Sequence, residues 1–256
     1  MVAPALLVLA LAAGQACGLP PLARGERPWR TGETLEFTLD LLGAVKAGTL
    51  QLSVERSMSG GRIVPLRARA RTTATVATIR KFAGVGLSWV DARTLLPERY
   101  RDDVEDNGVR KTSDARIPED AERITIAFRH GDRESEATFE AAGEVLDALS
   151  ALYYLRAARL APGDRLCFDV IASRRYWRFE GTVAVEPEPV ETPAGRYQTF
   201  RVDAVARRAD RPDTRARRVH VWFSLDSRRL PVAAVSEIEL GPVRAELSSV
   251  RGARQR

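Results

Sequence analysis

Apolar and polar residues alternate with a period of two along most of this chain, and that pattern limits the fold more than any other feature. Leu35, Phe37, Leu39 and Leu41 alternate with Thr34, Glu36, Thr38 and Asp40. Leu50, Leu52 and Val54 alternate with Gln51, Ser53 and Glu55, and Leu66, Ala68 and Ala70 oppose a stripe of Arg67, Arg69 and Arg71. The same period returns at Ile124, Ile126 and Phe128, at Phe179, Val183 and Val185, and at Val219, Val221 and Phe223. It returns once more at Ala234, Ile238 and Leu240. Strands that are apolar on one side only belong to antiparallel sheets with one wet face, because a parallel sheet between helices reads apolar throughout. Turn signals at Ser59-Gly60-Gly61, Asp106-Asn107-Gly108, Pro193-Ala194-Gly195 and Gly241-Pro242 separate the runs. Together they predict about a dozen strands.

One segment reads as a full helix. From Asp147 to Arg159, Leu149, Leu152, Tyr153 and Leu155 fall on a broad face filled in by Ala148, Ala151, Ala157 and Ala158. Asp147 suits the N-cap, and Pro162-Gly163 stops the run. A shorter turn is expected from Val76 to Phe82. One helix cannot build βαβ units from so many strands. The economical fold is mostly β (α+β): a large curved antiparallel sheet, or a partly closed barrel, with the helix packed on its concave face. Leu149, Leu152 and Tyr153 are expected to be buried against the sheet.

The N-terminus reads as a targeting segment. Ala5 to Ala13 is apolar and uncharged, too short for a membrane span and right for the apolar region of a signal peptide. Gly14 and Ala16 place cleavage after Ala16, although residues 1–4 lack the usual Lys or Arg. The organisation expected is a signal peptide over 1–16, a Pro-rich linker over 17–32, one β-rich envelope domain over 33–250 and a tail over 251–256. The mature protein would then lie in the periplasm or be anchored on the periplasmic side of a membrane. Cys17 directly follows the junction. Plain secretion with Cys17 incidental and acylation of Cys17 as a lipid-attachment residue are both open, and a Cys17–Cys167 disulfide is a third arrangement that an oxidising compartment allows.

Charge adds less than its size suggests. The chain has 40 Lys and Arg against 34 Asp and Glu, yet only Lys46, Lys81 and Lys111 are Lys, a skew that fits a GC-rich genome better than selection for phosphates. One stretch stands out: Arg207, Arg208, Arg211, Arg215, Arg217 and Arg218 lie around Asp210 and Asp213. Arg forks suit phosphates, so this tip is a candidate anion-binding site for a lipid headgroup, the bland alternative being a solvated loop. No aromatic interleaving supports nucleic-acid stacking, and an exported protein does not call for it.

Two hairpins echo each other, Trp89-Val90-Asp91 to Leu96-Pro97 and Trp222-Phe223-Ser224-Leu225-Asp226 to Leu230-Pro231. Internal duplication and convergent turn chemistry explain this equally well. In order along the chain come Gly32-Glu33-x-Leu35, Ala47-Gly48, Asp147-x-Leu149-Ser150-x-x-Tyr153-x-Leu155-Arg156 and Pro162-Gly163-Asp164. Thr192-Pro193-Ala194-Gly195 and Trp222-x-Ser224-x-Asp226-x-Arg228-Arg229-Leu230-Pro231 follow. This succession resembles the bacterial exported-protein family known as domain of unknown function 3108, over roughly residues 30–250. The resemblance implies a single, mostly β envelope domain without an established activity. Asp147, Ser150, Tyr153, Arg156, Trp222, Asp226 and Pro231 enter only as family motif residues, read as structural. The Trp-Asp-Leu-Pro hairpin is also similar to those of periplasmic lipoprotein-carrier folds, curved sheets wrapped on helices that hold acyl chains.

No catalytic constellation emerges. His130 and His220 lack ligand or triad partners at useful spacing, and there is no G-x-S-x-G elbow, P-loop or G-x-G-x-x-G. Neither a catalytic residue, a metal site nor a cofactor is expected. A helix of about thirteen residues is only about 20 Å long, whereas a dozen strands spaced about 4.8 Å apart make a far wider sheet. Apolar surface should remain, and such surface usually marks a binding site. The reading favoured is therefore a non-catalytic envelope protein that binds an apolar or lipid-like ligand, or a lipoprotein partner. A ligand-free interaction scaffold is the alternative, and a carbohydrate or cell-wall hydrolase the remote one.

Overall fold

The computed structural model describes residues 17–41, 43, 45–118, 122–141, 143–172, 174–238 and 241–252. The expected signal peptide over 1–16, the tail beyond 252 and the expected strand residue Leu240 lie outside them. The first arm of the sheet is a run of hairpin-connected strands: β1 Thr34–Leu41, β2 Val45–Val54, β3 Ile63–Thr72, β4 Phe82–Asp91, β5 Pro97–Asp106, β6 Val109–Arg116, β7 Arg123–His130 and β8 Arg133–Glu140. The second arm comprises β9 Val145–Asp147, β10 Arg165–Ala172, β11 Arg175–Val183, β12 Glu188–Thr192, β13 Gly195–Arg208, β14 Arg217–Ser224, β15 Pro231–Ile238 and β16 Gly241–Arg251. Helix α1 is Ala74–Ala77 and helix α2 is Ala148–Ala157.

All sixteen described strands form one sheet, in the order β8-β7-β6-β5-β4-β3-β2-β1-β16-β15-β14-β13-β11-β10-β9, with β12 paired to β13. Every pairing is antiparallel except β9–β10. The arms join where the first strand meets the last, Leu35 opposite Val250 and Leu41 opposite Val243. The path is not closed by hydrogen bonds. It curls instead: Phe139 of β8 stacks on Tyr176 of β11 at 5.6 Å, inside a cluster with Tyr100, Ile124, Ile126, Val145 and Ile171. One face of β10–β11 thus lies under β5–β8, while the other, carrying Phe168 and Val170, joins the main core around α2. Bulges at Glu36/Phe37, Leu39/Asp40, Trp89/Val90 and Trp222/Phe223 bend the sheet as bulges do. At Gly48 a Cβ would sit 2.4 Å from the Arg71 carbonyl oxygen, so only glycine allows β2 and β3 to approach so closely.

The sequence expectation of a curved, mostly antiparallel sheet holding one main helix is met, with more strands than the dozen expected. The extra ones, such as β8 (Arg-Glu-Ser-Glu-Ala-Thr-Phe-Glu), bury so little that their alternation is faint. The helix is shorter than expected, because Ala158 is already extended and bridges Leu22. On it Leu149, Tyr153, Tyr154 and Leu155 are buried, whereas Leu152, expected in the core, is only partly covered. The turn expected over Val76 to Phe82 is the single-turn α1, and Phe82 already belongs to β4. Val185, expected on a strand, lies beyond β11 and is exposed.

Residues 17–32, expected to be a linker, form a strap instead. Gly18 N donates to Cys167 O, Ala23 N to Ala157 O and Arg159 N to Pro21 O, and the Tyr154 hydroxyl donates to Pro20 O. Trp29 is buried edge-on against Tyr153, ring centres 5.1 Å apart. The prolines that suggested a linker hold an extended segment across the helix end.

Candidate functional site

Strand direction sorts every turn to one of two ends. At one end lie the strap, the C-terminal half of α2 and the turns before Pro97 and Pro231. There the family motif residues converge. Asp147 caps α2, its carboxylate accepting from Leu149 N and Ser150 N while Ser150 Oγ accepts from Asp147 N. The Ser88 hydroxyl of β4 donates to the same carboxylate, which ties the β9 edge across to the first arm. Burial pushes the Asp147 carboxyl above the usual range, against the pull of these hydrogen bonds.

Nine residues on, Arg156 is 1% exposed and Glu33 0%. The guanidinium donates to both Glu33 oxygens, at 2.6 and 3.1 Å, and to the carbonyls of Arg228 and Arg229, each at 3.1 Å. The rings of Trp29 and Tyr153 flank it at 5.1 and 5.0 Å. Asp226 shapes the turn that presents those carbonyls by accepting from Ser224 Oγ and Arg228 N, and Pro231 starts β15 beyond it. Trp222 lies apart from this knot and donates to Glu188. These are structural roles. The Glu33–Arg156 pairing, across 123 positions, has no local signal in the sequence.

At the other end the interior is open. A ten-residue helix spans only about 15 Å, while strands of eight to fourteen residues run roughly 26–46 Å. Below Ala148, the first residue of α2, remains a cleft of about 510 Å³, within the usual size of ligand sites. Phe82, Val104 and Phe128 line it from the first arm and Val170, Trp177, Phe179 and Val219 from the second. Its mouth is basic. Arg217 lies over Trp177 at 5.0 Å and Arg174 over Phe128 at 5.3 Å. Asp106 at the rim is engaged by Arg80 (3.0 Å) and Lys111 (2.8 Å), which hold its carboxyl down at about 2.

Asp102 and Asp106 are the carboxylates lining this cleft among the described residues. They sit four apart on one strand, about 13 Å along it, on one wall rather than facing each other. Paired glycosidase acids stand about 5–9.5 Å apart across their substrate. The hydrolase reading therefore gains no support. Among the described residues no group of three His, Cys, Asp or Glu is placed to hold a metal ion, and no helix is long and apolar enough to cross a membrane.

The six arginines of the expected anion-binding tip do not form one patch, because β13 and β14 send alternate side chains to opposite faces. Arg217 enters the cleft wall and Arg208 approaches Trp177 from the same side at 6.0 Å while pairing with Asp210. Arg207 pairs with Glu180 on the outer face, at 3.0 Å. Arg218 lines an outer groove there with His220, whose Nδ1 meets Asp203. Arg215 reaches Glu237 at 3.6 Å, and Arg211 stands exposed at the tip. Cys17, a candidate for lipid attachment in sequence, is bonded to Cys167. A sulfur in a disulfide cannot also hold a thioether, so the lipid-attachment reading gives way to the third arrangement. What sequence reasoning missed is the cleft itself. Of its aromatic walls, Phe128 reads in sequence as a strand residue and Phe82 as the end of a turn, and no pattern singles out Trp177.

A one-sheet roll with a helix plugging half of its interior defines a barrel-like class. It is similar to the crystal structure of a β-barrel-like protein of domain of unknown function DUF1849 from Brucella abortus, with a TM-score of 0.57 and 10% identity over 89% of this chain and 100% of that one. A Bacteroides fragilis protein with a YmcC-like fold is similar over 88% of this chain and 98% of its own, with a TM-score of 0.33 and 9% identity. No curated protein matches the chain. The chain belongs to the family of proteins of unknown function DUF3108, whose model matches residues 36–248.

Proposed function

We propose that this protein is an exported, non-catalytic protein of the bacterial envelope that holds an amphiphilic, lipid-like ligand in the open half of its barrel. The observation carrying the reading is the cleft below Ala148, walled by aromatic and aliphatic side chains and rimmed by Arg174, Arg217 and Lys111. Apolar walls suit an acyl chain and the arginines suit an anionic head, since planar guanidinium forks match phosphate and carboxylate. Export is supported by the apolar run Ala5 to Ala13 with its small-residue junction, and by a disulfide of the kind that persists in oxidising compartments.

Two measurements test this. Organic extraction of protein purified without detergent should release an anionic amphiphile, identified by mass spectrometry. A fluorescent fatty-acid probe should bind in the cleft, and Ala148→Trp, which puts an indole onto its floor from a solvent-facing position, should abolish that binding without lowering Tm. Absence of both extracted lipid and probe binding would leave the ligand-free scaffold in its place.

A further inference from the structure

The mouth of the cleft coincides with the most basic end of the molecule and with the most exposed large apolar side chain among the described residues. The described residues of seven stretches make the turns and strand ends there: 43–46, 73–82, 105–111, 129–134, 172–176, 207–218 and 237–242. In sequence these stretches hold fifteen Lys and Arg against eight Asp and Glu, a net of +7 where the whole chain has +6. The rest of the chain is therefore close to neutral, and the charge belongs to this end. Ile79 stands here in the loop after α1, 86% exposed, with Val45 and Val109 also exposed at the starts of β2 and β6.

That loop is held firmly by its backbone. Thr73 caps α1 and donates through its hydroxyl to Lys46 O. Lys81 N donates to Asn107 Oδ1 and Asn107 N to Lys81 O. Arg80 is forked onto Asp106. Ile79 thus projects from a braced loop, followed directly by two cations, and three residues later Phe82 already lines the cleft. The opposite end also exposes Met58, Val185 and Leu225. Its interior is plugged by α2, and it carries no comparable excess of charge.

We infer that this end docks on an anionic bilayer, with Ile79 entering the acyl boundary, Lys81 and the arginines around the mouth facing lipid phosphates, and the cleft opening toward the membrane. Charge complementarity selects the occupant: a basic rim around an apolar projection fits a surface that is anionic outside and apolar beneath. The inference rests on the cleft-binding reading above, since it supplies the route by which an amphiphile would enter and leave.

The test is flotation of the purified full chain with vesicles. It should float with phosphatidylethanolamine–phosphatidylglycerol vesicles and not with phosphatidylcholine vesicles, and high salt should release it. Ile79→Asp should weaken partition about tenfold or more, the effect of an isoleucine left in water. Lys81→Glu should weaken it further than fivefold, because one charge near such a surface is worth about fivefold and here its sign is reversed. Ile79 is outside the core, so an unchanged Tm is expected and verifies the fold. Equal flotation of Ile79→Asp and wild type, or equal affinity for both vesicle types, overturns the inference. Ala148→Trp separates the two readings: it should lose the fatty-acid probe and still float. If probe binding holds and flotation fails, docking alone is wrong; if flotation holds and probe binding fails, docking stands without the cleft ligand.

Discussion

At one end of this barrel an arginine is sealed from water against a glutamate, two carbonyls and two aromatic rings, while at the other end arginines lie over the rings of an open cleft. The same residue type does opposite work. Arg156 sits where the strap, α2 and the β14–β15 turn meet, so its donors fasten three parts of the chain that no sheet ladder joins. Arg174 and Arg217 stand where α2 does not reach, over the rings of Phe128 and Trp177 that line the cleft. Buried polar and aromatic packing is concentrated at the plugged end, and the cleft lies at the open end. That contrast is what sequence alone could not supply.

The sharpest way to break the comparison is to unmake the plugged end. Removing one partner of a buried pair strands the other charge, at a cost of about 3–5 kcal/mol. Arg156→Ala is therefore expected to lower the unfolding free energy by that order in urea titration. Glu33→Leu with Arg156→Met, which removes both charges and keeps volume, is expected to recover much of the loss. A full-strength Arg156→Ala would show that the knot is peripheral.

Next in size is the disulfide. It closes a separation of 150 residues between the strap and β10, and loss of a native disulfide costs about 2–5 kcal/mol. Cys17→Ser with Cys167→Ser should lower Tm clearly and leave the strap sensitive to protease, while probe binding in the distant cleft persists in the folded fraction. Unchanged protection of residues 17–32 would mean that Trp29 and the backbone bonds alone hold the strap.

A smaller effect is expected at the N-cap of α2. Replacing a capping carboxylate usually costs about 0.5–2 kcal/mol. Asp147→Ala should fall within that range, and Asp147→Asn below it, because the amide oxygen still accepts from Leu149 N and Ser150 N and no buried carboxyl remains to be ionised. The burial that raises the Asp147 pKa penalises its charged form, so the wild type should lose stability relative to the Asn variant as pH rises through the folded pKa. A difference that stays flat as pH rises above the ordinary carboxylate value would show that burial does not raise this pKa.

Much of the plugged end was legible from residues. The alternation marked β1, β2 and β3, the Asp147 cap marked the start of α2, and the Trp-Asp-Leu-Pro hairpins marked β4–β5 and β14–β15. Asp91 does bond Arg93 N and Thr94 N as a turn aspartate should, and Leu95 and Arg229 take matching left-handed conformations two residues before each proline. What escaped were pairings between distant segments. Glu33 and Arg156 look like surface residues when read one at a time, and Pro20, Pro21 and Pro28 look like a linker until Trp29 is seen buried. The cleft escaped for a related reason. Whether an inward aromatic residue meets a neighbour or a void depends on where α2 lies; a short helix was expected to leave apolar surface, but alternation alone does not place that surface below Ala148.

The least effect, and the one that probes the open end most directly, is expected from acid. Arg80 and Lys111 hold the Asp106 carboxyl at about 2, well below the ordinary carboxylate value, by hydrogen bonds to its charged form. A pKa depressed in the folded state gives stability that is fully present above the unfolded value, near 4, and is lost as pH falls through 2. Protonation of Asp106 releases the Arg80 fork that braces the Ile79 loop against the β5–β6 turn. Between pH 4 and 2 the wild type should therefore lose protection at the amides of residues 76–81 in hydrogen exchange, corrected for intrinsic rate. Asp106→Asn, lacking the fork at every pH, should show the looser loop already at pH 7 and little further change on acidification. Should both proteins respond alike between pH 4 and 2, the loop would be held by Asn107 and Thr73 alone, and the bracing assigned to Asp106 would fall.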